Sequence, residues 1–218
     1  MFQSWMRIGS AGALALALLS SCATEYPAGW SRVAQVTAVG ACPRLAGLYG
    51  DAGTQSGNPG DYFPGACDAG WHCSLGTYLF YTNLPRIEAV LTRKIFPERS
   101  PTQIEIIQSD GVLEAVAWHG TGSTRQKLRT VRFAKEQGEF TCTADGLNLK
   151  RLSGGSGFAG SRGGVGGVER EDRTLNRGED GHLVLKVERG AWGIVLFVPA
   201  AAFSTSWYRW NPEPESSP

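Results

Sequence analysis

No charge of one sign dominates this chain: 21 Lys+Arg face 20 Asp+Glu, a formal net charge of +1. That balance excludes the basic footprint expected of a nucleic-acid binder and offers an acidic polymer little to grip. Histidine is scarce, with only His72, His119 and His182, so a hydrolytic triad would have three possible bases, and none of them lies in a recognisable motif. The Gly-x-Ser-x-Gly elbow of many hydrolases is missing, as is any internal repeat of fixed period. The uncharged run Ile8–Leu19 near the N-terminus has twelve residues. As a helix it would reach roughly 18 Å, short of a bilayer core of about 30 Å, so a permanent span is not expected.

What is present begins at that run. Arg7 precedes it and the small residues Ser20-Ser21 follow it, just before Cys22. This is the layout of a cleavable leader, a charged residue followed by an apolar stretch and a small-residue site. Leu19-Ser20-Ser21-Cys22 resembles the lipobox of bacterial lipoproteins. The resemblance implies cleavage before Cys22, a diacylglycerol on its thiol and acylation of the new amine. It also implies the lipoprotein processing and sorting machinery as partners. Two or three acyl chains would hold the protein on a membrane. With Ala23 instead of Asp after the cysteine, the resemblance points to the outer membrane, facing the periplasm.

The expected organisation is a signal peptide over 1–21, a lipidated tether over 22–41, one mainly-β periplasmic domain over 42–210 and a disordered tail over 211–218. Trp30, Val33, Val36 and Val39 give the tether the spacing of a short helix. Besides Cys22 there are Cys42, Cys67, Cys73 and Cys142, an even set in an exported chain, from which two disulfides are expected. Three pairings are open. A Cys67–Cys73 bridge would close a short loop, but a pairing of Cys42 with Cys67 or Cys73 is preferred here.

Asp51 to Gly70 is crowded with Gly, Pro, Asp and Asn and is expected to be a long loop. Leu84, Ile87, Val90, Leu91 and Ile95 have helical spacing, with Asn83 as N-cap, Pro85 in the first turn and Pro97 as the stop. Beyond Thr102, short β-branched and aromatic runs alternate with turn signals. Strands are expected at Gln103–Gln108, Val112–Trp118, Lys127–Phe133, Glu139–Thr143, Leu147–Leu152, Arg173–Leu175, His182–Val187, Trp192–Val198 and Ser204–Trp210. Asp110-Gly111, Asp145-Gly146 and Asp180-Gly181 mark hairpins. Gly154 to Gly167 has eight glycines in fourteen residues and reads as a flexible loop. The fold class is therefore α+β and mainly β: an antiparallel meander sheet, open, barrel-like or a sandwich, with one amphipathic helix packed on it.

Several patterns could carry chemistry. Gly155-Ser-Gly157-Phe-Ala-Gly160 matches the dinucleotide-binding string but lacks the following helix, so a loop is preferred. Cys67, Asp68, His72 and Cys73 could ligate a metal, yet oxidation competes for the same sulfurs. Trp207-Tyr208-Arg209-Trp210 could stack on a sugar. A closing strand is the plainer reading, with Trp207 and Arg209 on one face and Tyr208 and Trp210 on the other. The pattern Cys42-Pro-x-Leu45-x-Gly47-x-Tyr49, Asp180-Gly-His-Leu-Val-Leu185 and the Trp-Tyr-Arg-Trp ending resemble uncharacterised small lipoproteins of Gram-negative proteobacteria. No activity follows from that resemblance. The expected function is a non-enzymatic binding or structural domain, with an envelope protein or cell-wall glycan as partner and no nucleic acid. No catalytic residue, cofactor or metal site is assigned. The alternative is a periplasmic hydrolase or metal-dependent enzyme built around one of the three histidines.

Overall fold

The structure, a computed structural model, describes residues 25–34, 41–57, 73–80, 99–150, 154–159, 166–195 and 198–214. The strands are β1 (Gly47–Gly57), β2 (Cys73–Ser74), β3 (Gln103–Ser109), β4 (Val112–His119), β5 (Gln126–Ala134) and β6 (Thr141–Thr143). They continue as β7 (Gly146–Asn148), β8 (Gly154–Ala159), β9 (Gly166–Arg177), β10 (Leu183–Val195) and β11 (Val198–Pro212). One short helix, α1 (Leu75–Phe80), follows β2. All strands join one antiparallel sheet in the order β5-β4-β3-β1-β11-β10-β9-β7-β6, with β2 on β1 and β8 on β9.

The protein is thus mainly β, an open antiparallel meander. Its end strands β5 and β6 do not pair, yet only residues 135–140 separate them in the chain. The sheet therefore curls until its two ends meet, leaving a seam in place of a final ladder. Alternation fills the inside: Leu113, Ala115 and Ala117 of β4, Leu183, Leu185 and Val187 of β10, and Tyr208 and Trp210 of β11 share one core. Helix α1 adds Leu75, Tyr78, Leu79 and Phe80 to it.

Asp51 on β1 fixes α1 in place. Its carboxylate accepts from the Gly76 N–H at 2.7 Å and from the Ser74 hydroxyl at 3.1 Å, while Ser74 Oγ accepts from the Thr77 N–H. Trp210 closes the same corner by donating its indole N–H to the Cys73 carbonyl at 2.7 Å. A β-carbon on Gly53 would fall on that indole and on the Arg209 carbonyl, so only glycine lets β1 pass beneath the ring.

Most strand expectations hold, and Gly111 (φ +76°) and Gly181 (φ +85°) adopt the left-handed geometry that their Asp-Gly signals imply. The differences have physical causes. Residues 51–57, expected as loop, extend β1 because β11 pairs with them from Gly53 to Gly57. The runs 182–187 and 192–198 are not two strands. Residues 183–195 form one strand, and its pairing with β11 continues to Val195↔Val198. The glycine-rich stretch is strand in β8 and at the start of β9, paired from Gly154↔Glu171 to Ala159↔Gly166, because a ladder of backbone hydrogen bonds needs no side chains.

The tether is not helical at Trp30 and Val33. Its backbone bonds to the sheet instead, with a Val33–Gly178 bridge and the Ala34 N–H donating to the Arg177 carbonyl. Residues 211–213, expected within the tail, belong to the sheet: β11 runs to Pro212 and the Glu213 N–H donates to the Leu48 carbonyl at 2.8 Å. The amphipathic helix expected at Leu84–Ile95 lies outside the described residues. Among these no helix is long and apolar enough to cross a membrane.

Candidate functional site

Charged side chains inside the curled sheet gather at one place. Register puts Glu171 and Arg173 of β9 beside Arg189 and Val187 of β10, on the face that carries the core. Arg173 Nε donates to Glu171 Oε1 at 2.6 Å and Arg189 Nε to Glu171 Oε2 at 2.9 Å, so one carboxylate is shared by two guanidiniums. Arg173 Nη1 also donates to the Tyr78 carbonyl at 3.2 Å, at the end of α1, and its guanidinium lies 5.8 Å from the Tyr78 ring centroid. The Tyr78 phenol is pushed well above its ordinary range, first by burial and then by Tyr208, although Arg173 and Arg189 act the other way. It stays neutral.

Arg173 is buried, whereas Arg189 and Glu171 keep 12% and 16% of their side-chain surface, so the cluster touches solvent. Along the same face, the next cross-strand rows toward the β10–β11 tip are Glu169–Ala191–Ala202 and Gly167–Gly193–Ala200. Four of those six residues are Ala or Gly of β10 and β11. Arginine forks match carboxylate and phosphate oxygens, and they do not exchange protons at neutral pH. The two guanidiniums of this arrangement can bind an anion.

A second polar group lies on the outer face. His182 Nδ1 is 2.9 Å from Asp180 Oδ1, and Arg209 Nη2 is 3.2 Å from Asp180 Oδ2 and 2.8 Å from His182 Nε2. Partial burial pushes the Asp180 carboxyl up, but hydrogen bonds from Ser31 and His182 outweigh it and hold the group near 2. Arg209 lies 5.7 Å from the Trp30 ring, and Tyr26 packs edge-on against Trp207 at 5.0 Å. These contacts fasten residues 25–34 to β10 and β11. The open furrow of about 460 Å³ beside Glu105 and Arg125 belongs to surface packing. There Arg125 lies 4.2 Å above the Trp118 ring, and Trp118 donates to Glu105 at 2.9 Å.

The residues singled out in the sequence do not converge. His182 serves the fastening group, and His119 lies 2.9 Å from the Ser100 carbonyl on the surface. Cys22, Cys67, Asp68 and His72 lie outside the described residues. Cys42 joins Cys142, 100 residues away, with Cα atoms 5.0 Å apart, which overturns the preferred pairing of Cys42 with Cys67 or Cys73. Curling carries β6 round to the segment before β1, a proximity that sequence distance hides. Cys73 is itself disulfide-bonded. No group of three or more metal-capable side chains occurs among the described residues. The aromatic ending takes its expected form, with Tyr208 and Trp210 in the core and Trp207 and Arg209 on the opposite face.

Sequence reasoning misses Glu171, Arg173 and Arg189, because only strand register brings them together. The available signal was a charged run, Glu169 to Arg173, inside a strand next to an apolar one. No protein-family model, curated protein or solved structure matches this chain.

Proposed function

We propose that this protein is an envelope lipoprotein, anchored through lipid on Cys22, whose curled sheet is a non-enzymatic binding domain facing the periplasm. The observation that carries this reading is the state of the cysteines. Cys42 is joined to Cys142 and Cys73 is bonded as well. With Cys22 taken by lipid, Cys67 is the partner that remains for Cys73, and the two bridges suit an oxidising compartment. The leader and lipobox address the chain to that same compartment.

The binding element in this reading is the Glu171–Arg173–Arg189 cluster, and its partner is an envelope component bearing a carboxylate or phosphate. Support comes from two guanidiniums oriented by one shared carboxylate and in contact with solvent.

Intact mass of the chain purified from membranes, before and after reduction and alkylation, tests the anchor. The expected species starts at a lipidated Cys22 and lacks four thiol hydrogens; an unlipidated chain refutes the reading. For the binding element, the unfolding midpoint is followed in acetate and in inorganic phosphate. The midpoint of the unmodified chain should rise with the anion, and Arg189→Gln should abolish the rise. Equal shifts in both proteins would remove the cluster from the proposal.

A further inference from the structure

The β10–β11 hairpin exposes two aromatic rings, Trp192 and Phe203, on its outer face. From Gly190 to Phe203 there are fourteen residues without a charge, including Trp192, Ile194, Val195, Leu196, Phe197 and Val198. Trp192 and Phe203 are 42% and 50% exposed, and their rings meet edge-on at 5.6 Å over Gly190. Large exposed aromatics on an uncharged segment mark a contact surface.

The course of the chain indicates what lies against it. Residues 25–34 run along the outer face of this hairpin. Val33 bridges Gly178 just before β10, Trp30 lies by Arg209, and Tyr26 lies on Trp207. Trp207 pairs with Lys186, nearer the tip than Arg209, which pairs with Val184. Followed toward its N-terminus, the segment therefore climbs toward the tip. Cys22 is four residues before Tyr26, a reach of at most about 14 Å. Four residues of strand, about 13 Å, separate Trp207 from Phe203 on the same face. Cys22 is thus within reach of the level of the two exposed rings.

We propose that the tip of the β10–β11 hairpin, through Trp192 and Phe203, rests in the interface of a phospholipid bilayer. It acts as a second, non-covalent contact beside the lipid on Cys22. The inference takes the position of the bilayer from the lipid-anchor reading. Trp partitions to the headgroup level, where its apolar ring and polar N–H are both accommodated, and Phe adds an apolar ring beside it at the acyl boundary. Two attachment points fix the orientation of the domain, which one flexible acylated cysteine would leave free.

The test uses residues 22–218 carrying Cys22→Ser, made without the apolar leader and taking no lipid at that position, with phosphatidylethanolamine–phosphatidylglycerol vesicles of brominated acyl chains. The protein should sediment with the vesicles, and its tryptophan emission should be quenched. Trp192→Phe should remove part of the quenching without releasing the protein. Replacing Trp192 and Phe203 with serine should weaken binding about tenfold or more, at an unchanged urea midpoint. The proposal is overturned if the Cys22→Ser chain stays in the supernatant, or if the serine variant binds equally well. It is also overturned if the Cys22→Ser chain is a dimer that the serine changes split, with neither form binding vesicles; the occupant is then a second copy. Failure of the anchor reading shows up separately, as the absence of lipid mass on the unmodified chain.

Discussion

Asp51 offers the most demanding test of the packing described above. Its carboxyl is buried beneath α1, and burial pushes its pKa from 3.8 up to about 6 in spite of hydrogen bonds from Gly76 and Ser74. A group that holds its proton more tightly when folded stabilises the fold below its unfolded pKa. That stability is lost as pH rises through the folded value, here between about pH 4 and 6. At 1.36 kcal/mol per pH unit the rise corresponds to roughly 3 kcal/mol. Asp51→Asn keeps an oxygen to accept from the Gly76 N–H and cannot ionise. The variant should match the unmodified protein near pH 4 and exceed it by about 2 to 3 kcal/mol at pH 7.5. Urea unfolding followed by tryptophan emission, with the disulfides intact, measures both across the range. Taking the difference between the two proteins cancels every other titrating group. A difference that does not grow with pH, or an asparagine variant that is the weaker protein at pH 7.5, would refute the assignment of the burial cost to Asp51.

Three further outcomes follow from named contacts. Replacing Cys42 and Cys142 with alanine opens a link across 100 residues, and denaturant unfolding should show a loss of about 4 to 5 kcal/mol on loop entropy; a loss below 1 would mean that the unfolded chain is already compact. Gly53→Ala forces β1 off the Trp210 indole and should cost about 2 to 3 kcal/mol, with a blue or red displacement of buried tryptophan emission as the local sign. Asp180→Asn loosens the hold on Ser31, His182 and Arg209, so tryptic cleavage after the exposed Arg32 should quicken several-fold while the global midpoint moves little. Because the Asp180 carboxyl is held low, the same loosening should appear in the unmodified protein only in acid, as pH falls from about 4 toward 2; an unchanged cleavage rate in the variant would refute the fastening role.

The legible parts of the fold were those in which one short stretch carries its own cause. Asp110-Gly111 demands a positive φ, and β3 and β4 stand where the alternation on either side places them. Trp207 to Trp210 divides its rings between two faces because a strand has a period of two. Illegible features depend on partners distant in sequence. Gly53-Thr54-Gln55-Ser56 has no apolar pattern, and it is a strand because β11 offers a ladder. Trp30, Val33, Val36 and Val39 fit a helical stripe by spacing, but at Trp30 and Val33 the sheet offers more contact than a short isolated helix could. The Cys42–Cys142 bridge belongs to the same class, since only the closing of the curl brings β6 near the residue before Pro43.

The candidate site was hidden for a related reason. Arg170 and Asp172 point outward and pair with each other on the surface, while their neighbours Glu171 and Arg173 point inward. Only the strand register tells the two sets apart. Once placed, the inner set is hard to explain by stability. A carboxylate and two guanidiniums taken out of water lose hydration that their mutual attraction barely restores, and apolar residues of similar size commonly serve a core as well or better. The neighbouring row of the same wall follows that rule with Leu175 and Leu185. The charged row departs from it beside the rings of Tyr78 and Tyr208. Because burial of such a row brings the fold little stability, the Arg189→Gln binding comparison bears on function more directly than any stability measurement.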